Sequence, residues 1–200
     1  SDHRRYADHT LLLRTFARTG RHTLHEHAVV PRRNMIMATQ NTSQLLMIRP
    51  VAFGLNAQTA ADNHYQQKVE GLSDAEAQTR ALAEFDGFVT KIRNAGVDVL
   101  VIDDTLEPAT PDSIFPNNWV SFHETGMVVL YPMHAENRRL ERRDDVLEKL
   151  KAANFSIREI LDYSPYESDN MFLEGTGSLV LDRENLIAYA CLSQRTHTHV

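Results

Sequence analysis

Cysteine is almost absent from this 200-residue chain. Cys191 stands alone, which excludes an internal disulfide framework and the cysteine clusters that hold structural zinc or iron–sulfur centres. A reducing cytoplasm is the expected setting. Long apolar runs are missing too: stretches such as Met127 to Leu130 and Val97 to Ile102 have the length of buried strands, so no membrane span is expected. Positive charge is in deficit, with a net charge of −6. That balance argues against nucleic acid as a partner, because phosphate recognition needs Lys and Arg clustered on one face.

What is present fits a soluble globular domain, with 42% hydrophobic and 24% charged residues. Charge is unevenly spread: Ser1 to Asn34 holds seven Arg against three acids, whereas Met35 to Val200 holds fourteen Lys and Arg against twenty-four acids. The first segment also carries five of the ten histidines. Residues 1–36 therefore read as a disordered or non-native extension, with a natural start at Met35 or Met37. An Arg-rich transit peptide is the competing reading. His22, His25 and His27 lack the regular pairing of a metal-ligand set.

From Leu45 the pattern tightens. Leu45 to Ile48, closed by Arg49-Pro50, reads as a short buried strand. Ser73 with Glu76 three residues later makes a capping box, and Ala81, Phe85, Phe88 and Ile92 form an apolar stripe at helical spacing before Gly96. A strand follows at Val97 to Ile102, then a proline-containing loop from Asp103 to Phe115. Trp119 to His123 and Met127 to Tyr131 read as a hairpin turning at Glu124 to Gly126. The order then recurs: a helix over Glu136 to Ala153 with Leu140, Leu147 and Leu150 inward, and strands at Phe155 to Ile160, Ser178 to Leu181 and Leu186 to Leu192. Such alternation implies an α/β repeat.

Several constellations could carry chemistry. Asp112, Asn117 and Asn118 stand at a loop-to-strand junction. There a carboxylate and two carboxamides could grip a planar polar group, since a carboxylate matches the guanidinium fork and an amide suits a guanidine or a urea. An Asx-turn network that only closes the loop is the alternative. Glu174, between an apolar pair and two glycines, could orient a histidine, or could simply cap a tight turn. Arg138-Arg139 and Arg142-Arg143 read first as a solvated helix face. Arg195 follows a strand, a place suited to holding a carboxylate. Cys191 lies in an apolar strand, where burial would leave it inert. His123 and His134 read as strand-end or loop histidines before bases.

Taken together, Met47-Ile48-Arg49-Pro50, Asp112 to Trp119, Arg138-Arg139, Glu174-Gly175-Thr176-Gly177 and Leu192-Ser193-Gln194-Arg195-Thr196 occur in the order and spacing of the amidinotransferase superfamily. The chain resembles the bacterial citrulline-utilisation hydrolases and, more distantly, dimethylarginine dimethylaminohydrolase, over about Ser43 to Thr196. The resemblance implies an α/β propeller of the pentein type, five ββαβ-like modules around a central site, of which this length supplies about three. On that footing residues 37–200 are the N-terminal part of a single catalytic domain. In the family a late cysteine attacks the guanidine or ureido carbon, a histidine serves as acid and base, and water or an amine resolves the covalent intermediate.

Carried over by motif, Glu174 matches the acid that orients the histidine and Asp112 the acid near the substrate's guanidine nitrogens. Asn117 and Asn118 stand where dimethylarginine hydrolases have an acidic pair, which favours the citrulline-like branch. Arg138 and Arg195 match the arginines that bind the amino-acid end. The catalytic histidine and cysteine are expected beyond Val200, so this chain alone is expected to be inactive. No metal or other cofactor is required. The expected partner is a small guanidino or ureido amino acid such as arginine or citrulline. A homo-oligomer is compatible with the open sheet edges of an incomplete propeller. The alternative is a binding protein that keeps the substrate grip without catalysis, or a remnant of a partial reading frame.

Overall fold

Strand and helix alternate along the chain as an α/β protein requires. A computed structural model describes residues 40–60, 63, 66 and 70–198, and the backbone of 12–16. Apart from that backbone, the expected 1–36 extension lies outside the described residues. Among the described residues the elements are β1 (Leu12–Phe16), β2 (Gln44–Arg49), α1 (Asp74–Asn94), β3 (Asp98–Asp103), β4 (Val120–Phe122), β5 (Met127–Leu130), α2 (Glu136–Arg139), α3 (Asp144–Ala152), β6 (Glu159–Asp162), α4 (Gly175–Ser178), β7 (Leu179–Asp182) and β8 (Ile187–Cys191).

The capping box at Ser73 forms as the sequence predicts: the Ser73 hydroxyl accepts the Glu76 N–H, and the Glu76 carboxylate accepts the Ser73 N–H. Gly96, at φ +87°, turns the chain out of the helix. Helix α1 is the crossover that lets β2 and β3 pair in parallel, from Gln44 with Asp98 to Arg49 with Asp103. A bidentate pair from Arg49 to Asp86, 2.8 Å on both arms, ties strand to helix. The apolar stripe is placed slightly differently from the expectation. Val89 is the buried residue of α1, and Phe88 is 55% exposed. One position at 100° per residue carries the side chain off the inward face.

The second group is β4-β5-β6. Hairpin β4–β5 is antiparallel, and β6 joins β5 in parallel after the helical segment, from Met127 with Glu159 to Leu130 with Asp162. The turn needs Gly126, at φ +84°, where a Cβ would meet the Arg158 side chain and the Ser156 carbonyl. This is one ββαβ unit. Strands β7 and β8 repeat the antiparallel pair, with β1 in parallel on the other side of β8.

Two expectations are corrected here. The continuous helix over Glu136 to Ala153 is broken into α2 and α3, because Arg138 folds back onto a buried Glu141 and Arg143 has extended backbone. Leu140 consequently points outward, and Val146 and Leu150 are the buried residues of α3. The strand expected at Phe155 to Ile160 begins later, at Glu159, since Phe155 and Ile157 pack into the core ahead of the ladder.

The core has two parts that share β5. Val128 joins Ile48, Ile102, Trp119, Val120, Met133, Val146 and Leu150, and its neighbour Val129 joins Tyr131, Leu173, Leu179, Ala188 and Ala190. Successive strand residues face opposite ways, so β5 is buried on both faces and fixes the sheets around the loops at its end. Among the described residues no helix is long and apolar enough to cross a membrane. Met133→Ala, at a fully buried site, is expected to cost about 2–5 kcal/mol, and Phe88→Ala within about 0.5 kcal/mol of nothing. Urea denaturation midpoints of the two variants check the contrast; equal losses would contradict this packing.

Candidate functional site

Loop Asp104 to Phe115 ends in a single helical turn, Pro116–Asn118, capped by Trp119, whose side chain is anchored in the core. Asn117 and Asn118 are thus presented by a rigid strand start. Onto this turn docks α4, the short turn that follows Glu174. A Cβ on Gly175 would overlap the Asn117 carbonyl oxygen, and one on Gly177 would press into the Asn118 side chain. Both glycines are there for close approach. The contact is sealed by hydrogen bonds: Asn117 Nδ2 donates to Thr176 Oγ1 at 2.8 Å and to Asn118 Oδ1 at 3.1 Å, and Thr176 Oγ1 donates to the Asn117 carbonyl at 3.3 Å.

Glu174 is 1% exposed. Its Oε1 accepts the backbone N–H of His134 at 3.1 Å, and its Oε2 accepts Arg195 Nη1 at 3.3 Å. The Glu174 N–H donates in turn to the Arg195 carbonyl, so the turn Ser193–Thr196 is stitched to the segment before α4. The His134 N–H is itself held in place. Arg139 donates to the carbonyls of Met133 and His134, and Arg142 to the Tyr131 carbonyl and, through both arms, to Glu167 at 2.6 and 2.8 Å. The arginine run is not the solvated face first expected of it; these side chains fasten the chain after β5.

Asp112 and Arg138 form a second, adjoining cluster, joined to the first through the Phe115 carbonyl that Arg138 reaches. Arg138 is 3% exposed and makes a fork to Glu141 at 2.9 and 3.0 Å, with Asp112 Oδ2 at 3.8 Å. Asp112 Oδ2 also accepts Asn56 Nδ2 at 2.7 Å and Thr59 Oγ1 at 3.2 Å. Asn56 and Asn137 exchange amide hydrogen bonds. One guanidinium thus faces two carboxylates. Burial, with Asp112 and Asp104 nearby, raises Glu141 to about 7 against the pull of Arg138.

A third chain of polar groups lies beneath α4, whose Gly175 abuts the Tyr131 ring. Tyr131 OH, Ser121 Oγ, His123 and Arg183 link at 2.9, 3.0 and 3.1 Å. Arg183 can only donate, so His123 Nδ1 accepts, Nε2 carries the proton, and the imidazole cannot serve as a base toward Ser121. Burial, with Arg183 beside it, lowers His123 to about 4. His123 is therefore a structural link.

Cys191 is exposed, not buried as its apolar strand implied, because it ends β8 on the side opposite Ala188 and Ala190. Among the described residues no group of three His, Cys, Asp or Glu is arranged to hold a metal ion. His197 donates its backbone N–H to the Phe172 carbonyl. Sequence inspection singled out neither Asn56, Thr59 and Asn137 nor Thr176 and Tyr131. For Thr176 the signal was present, since it lies between the two glycines.

The family described as N,N dimethylarginine dimethylhydrolase, eukaryotic, matches residues 49–200. Among curated proteins none matches the chain. Three solved structures illustrate the similarity. An arginine dihydrolase from the ornithine–ammonia cycle in Cyanobacteria is 18% identical, with a TM-score of 0.55 over 78% of this chain and 21% of its own. The N-terminal domain of that dihydrolase bound to product gives 19% identity and 0.56 over 78% and 50%. A dimethylarginine dimethylaminohydrolase adduct with S-methyl-L-thiocitrulline gives 15% and 0.50 over 78% and 52%. At these identities the likeness is one of fold, which is therefore α/β of the pentein type, and the chain spans a fifth to a half of the structures it matches.

Arg138→Met should destabilise the protein by roughly 3–5 kcal/mol, because Glu141 and Asp112 would lose their shared buried counter-charge, whereas Glu141→Gln should cost much less; denaturant titration separates them. His123, held near 4 against an ordinary 6.5, takes up its proton in the unfolded chain first, so it withdraws stability as pH falls from 6.5 toward 4. Glu141 acts in the opposite sense between about 7 and 4.5. The denaturation midpoint of His123→Gln should therefore fall less over that acid window than that of the parent; parallel curves would refute the assignment.

Proposed function

The chain belongs to the N,N dimethylarginine dimethylhydrolase family, and from that membership we propose that it forms the substrate-positioning part of a carbon–nitrogen hydrolase acting on a guanidino or ureido amino acid. One observation carries the proposal. Motifs separated by dozens of residues converge on a buried Glu174, which a backbone N–H and Arg195 hold while two glycines seat its turn on Asn117 and Asn118. A carboxylate fixed at both oxygens is suited to orienting a catalytic histidine and stabilising its charged form.

In this reading Asp112 meets the guanidine or ureido nitrogens, and Asn117 and Asn118 supply neutral amide contacts beside them. Arg195 guides the carboxylate of the amino acid, and Arg138 supports that role from within the Asp112 cluster. The neutral amide pair favours arginine or citrulline over methylated arginines, whose extra methyl groups remove N–H donors that amide oxygens accept. The solved relatives include complexes with ornithine and with L-arginine, which share the α-amino acid end, and the second carries the guanidino group as well.

The attacking thiolate and its histidine are taken to come from outside this chain. Sulfur bonds to the amidine carbon, the C–N bond breaks as the leaving amine takes the histidine's proton, and water then displaces sulfur and returns a proton to the histidine. Cys191 has no part in this step. A cytoplasmic setting accords with thiolate chemistry.

The test is turnover by the full-length protein of L-arginine, L-citrulline and NG,NG-dimethyl-L-arginine, followed by ammonia and amine release. Glu174→Gln should lower kcat by roughly 10²–10⁴-fold, and Cys191→Ser should leave it unchanged. Wild-type turnover by Glu174→Gln, or its loss in Cys191→Ser, would overturn the assignment.

A further inference from the structure

The geometry points to Asn56 and Thr59 as positioning residues that aim Asp112 at the substrate, an inference that rests on the role proposed for Asp112. Both side chains are 1% exposed. Asn56 Nδ2 donates to Oδ2 at 2.7 Å, the Thr59 hydroxyl reaches the same oxygen at 3.2 Å, sharing its one proton with Gln66 Oε1, and the Arg138 ion pair falls on Oδ2 as well. Two hydrogen-bonding side chains and one guanidinium charge gather on a single oxygen and so orient the carboxyl group. They leave Oδ1 as the oxygen for a ligand's N–H.

Asn56 is itself fastened from behind. Its Oδ1 accepts Asn137 Nδ2 at 2.7 Å and the Gln58 N–H at 3.1 Å, so its amide cannot flip without losing both. Its backbone carbonyl accepts the N–H groups of Thr59 and Ala60, which coils the segment into a turn that presents the Thr59 hydroxyl on the same side. Thr59 Oγ1 also lies 3.0 Å from Gln66 Oε1. The segment after β2 thereby reaches across to the loop that carries Asp112. The charged groups around Asp112 are Arg138 and Glu141 from the α2 turn, with Asp104 and Arg143 beyond them.

Such an arrangement supplies alignment, the effect by which a small misplacement of a binding group costs orders of magnitude in rate. Removing either donor lets the carboxyl group rotate while Arg138 still neutralises it. Replacing Asn56 by Asp does something different: a second carboxyl group then faces Oδ2 at hydrogen-bond distance, and two such groups share a proton.

The experiment uses the full-length protein with L-arginine and L-citrulline as probes. Thr59→Val, which keeps shape, and Asn56→Ala should each lower kcat/KM by about tenfold to a hundredfold. Thr59→Ser should restore most of that loss. Asn56→Asp should move the acid limb of the kcat/KM profile upward by about one pH unit or more, and Asp112→Asn should abolish that movement in the double variant. A Thr59→Val and Asn56→Ala pair with wild-type kcat/KM, beside an impaired Asp112→Asn, would overturn this inference and leave the reading of Asp112 standing. An Asp112→Asn variant indistinguishable from the parent would remove both. Losses that Thr59→Ser does not repair, with an unmoved acid limb in Asn56→Asp, would make the two residues structural only and refute the proposal.

Discussion

The absence of a side chain at Gly175 is the constraint on which the site depends. The Asn117 carbonyl occupies the space a Cβ would need, and the Asn118 amide does the same at Gly177. Only with both positions bare can the turn after Glu174 lie flat on the turn before β4. That contact sets where Glu174 enters, and through the Glu174 N–H it also sets the Ser193–Thr196 turn and hence Arg195. The flanking units are steady because β5 buries successive residues in two different clusters. The Glu174 turn is therefore docked onto a base that is packed on both faces.

Charge enters this architecture as fastening before it enters as chemistry. Arg139 and Arg142 spend their donors on carbonyls between Tyr131 and His134 and on Glu167. The segment they hold delivers the His134 N–H to Glu174. Arg138 is shared between Glu141 and Asp112, and with one positive charge for two buried carboxyls, one of the two is raised toward neutrality; burial places that rise on Glu141. An exposed arginine pair would contribute little. With Arg138 buried, Arg139 and Arg142 half-buried, and each multiply bonded, these arginines decide the shape of the loops that the candidate site is made of.

Much of the fold was legible because it rests on local rules. The Ser73–Glu76 box, the Gly96 stop, the hairpin turning at Gly126 and the strands on either side of α1 each follow from residues close in sequence. The failures are non-local. Helical spacing carried the second helix through Leu140, yet the helix breaks where Glu141 is drawn inward to Arg138, and no periodicity reports that pull. Phe88 fits the apolar spacing, but Val89 is the residue that meets the sheet. Cys191 sits in an apolar run, and only its place at the end of β8 exposes it. In the site, Glu174, Asn117 and Asn118 were legible as motif residues with two meanings left open. Tertiary packing brings them together, and it is the glycine contact that makes them one cluster.

Asn56 and Thr59 show why the supporting residues of a site are harder to read than its gripping ones. A carboxylate or an arginine in a loop attracts notice by its charge, whereas an asparagine and a threonine three residues apart look like ordinary turn formers. Their turn does form, with the Asn56 carbonyl accepting the Thr59 and Ala60 N–H groups. The turn's side chains nevertheless point at a single oxygen of a residue more than fifty positions away. A turn that needed only to close would leave its polar side chains in water, because burying an amide and a hydroxyl is costly unless each finds a partner. Here Asp112 is a partner of both, beside Asn137 and the Gln58 N–H for Asn56 and Gln66 for Thr59, so part of what compensates their burial depends on the Asp112 carboxyl group keeping one orientation. That mutual dependence orders the loop before any ligand arrives, and it gives Asp112 a direction as well as a charge.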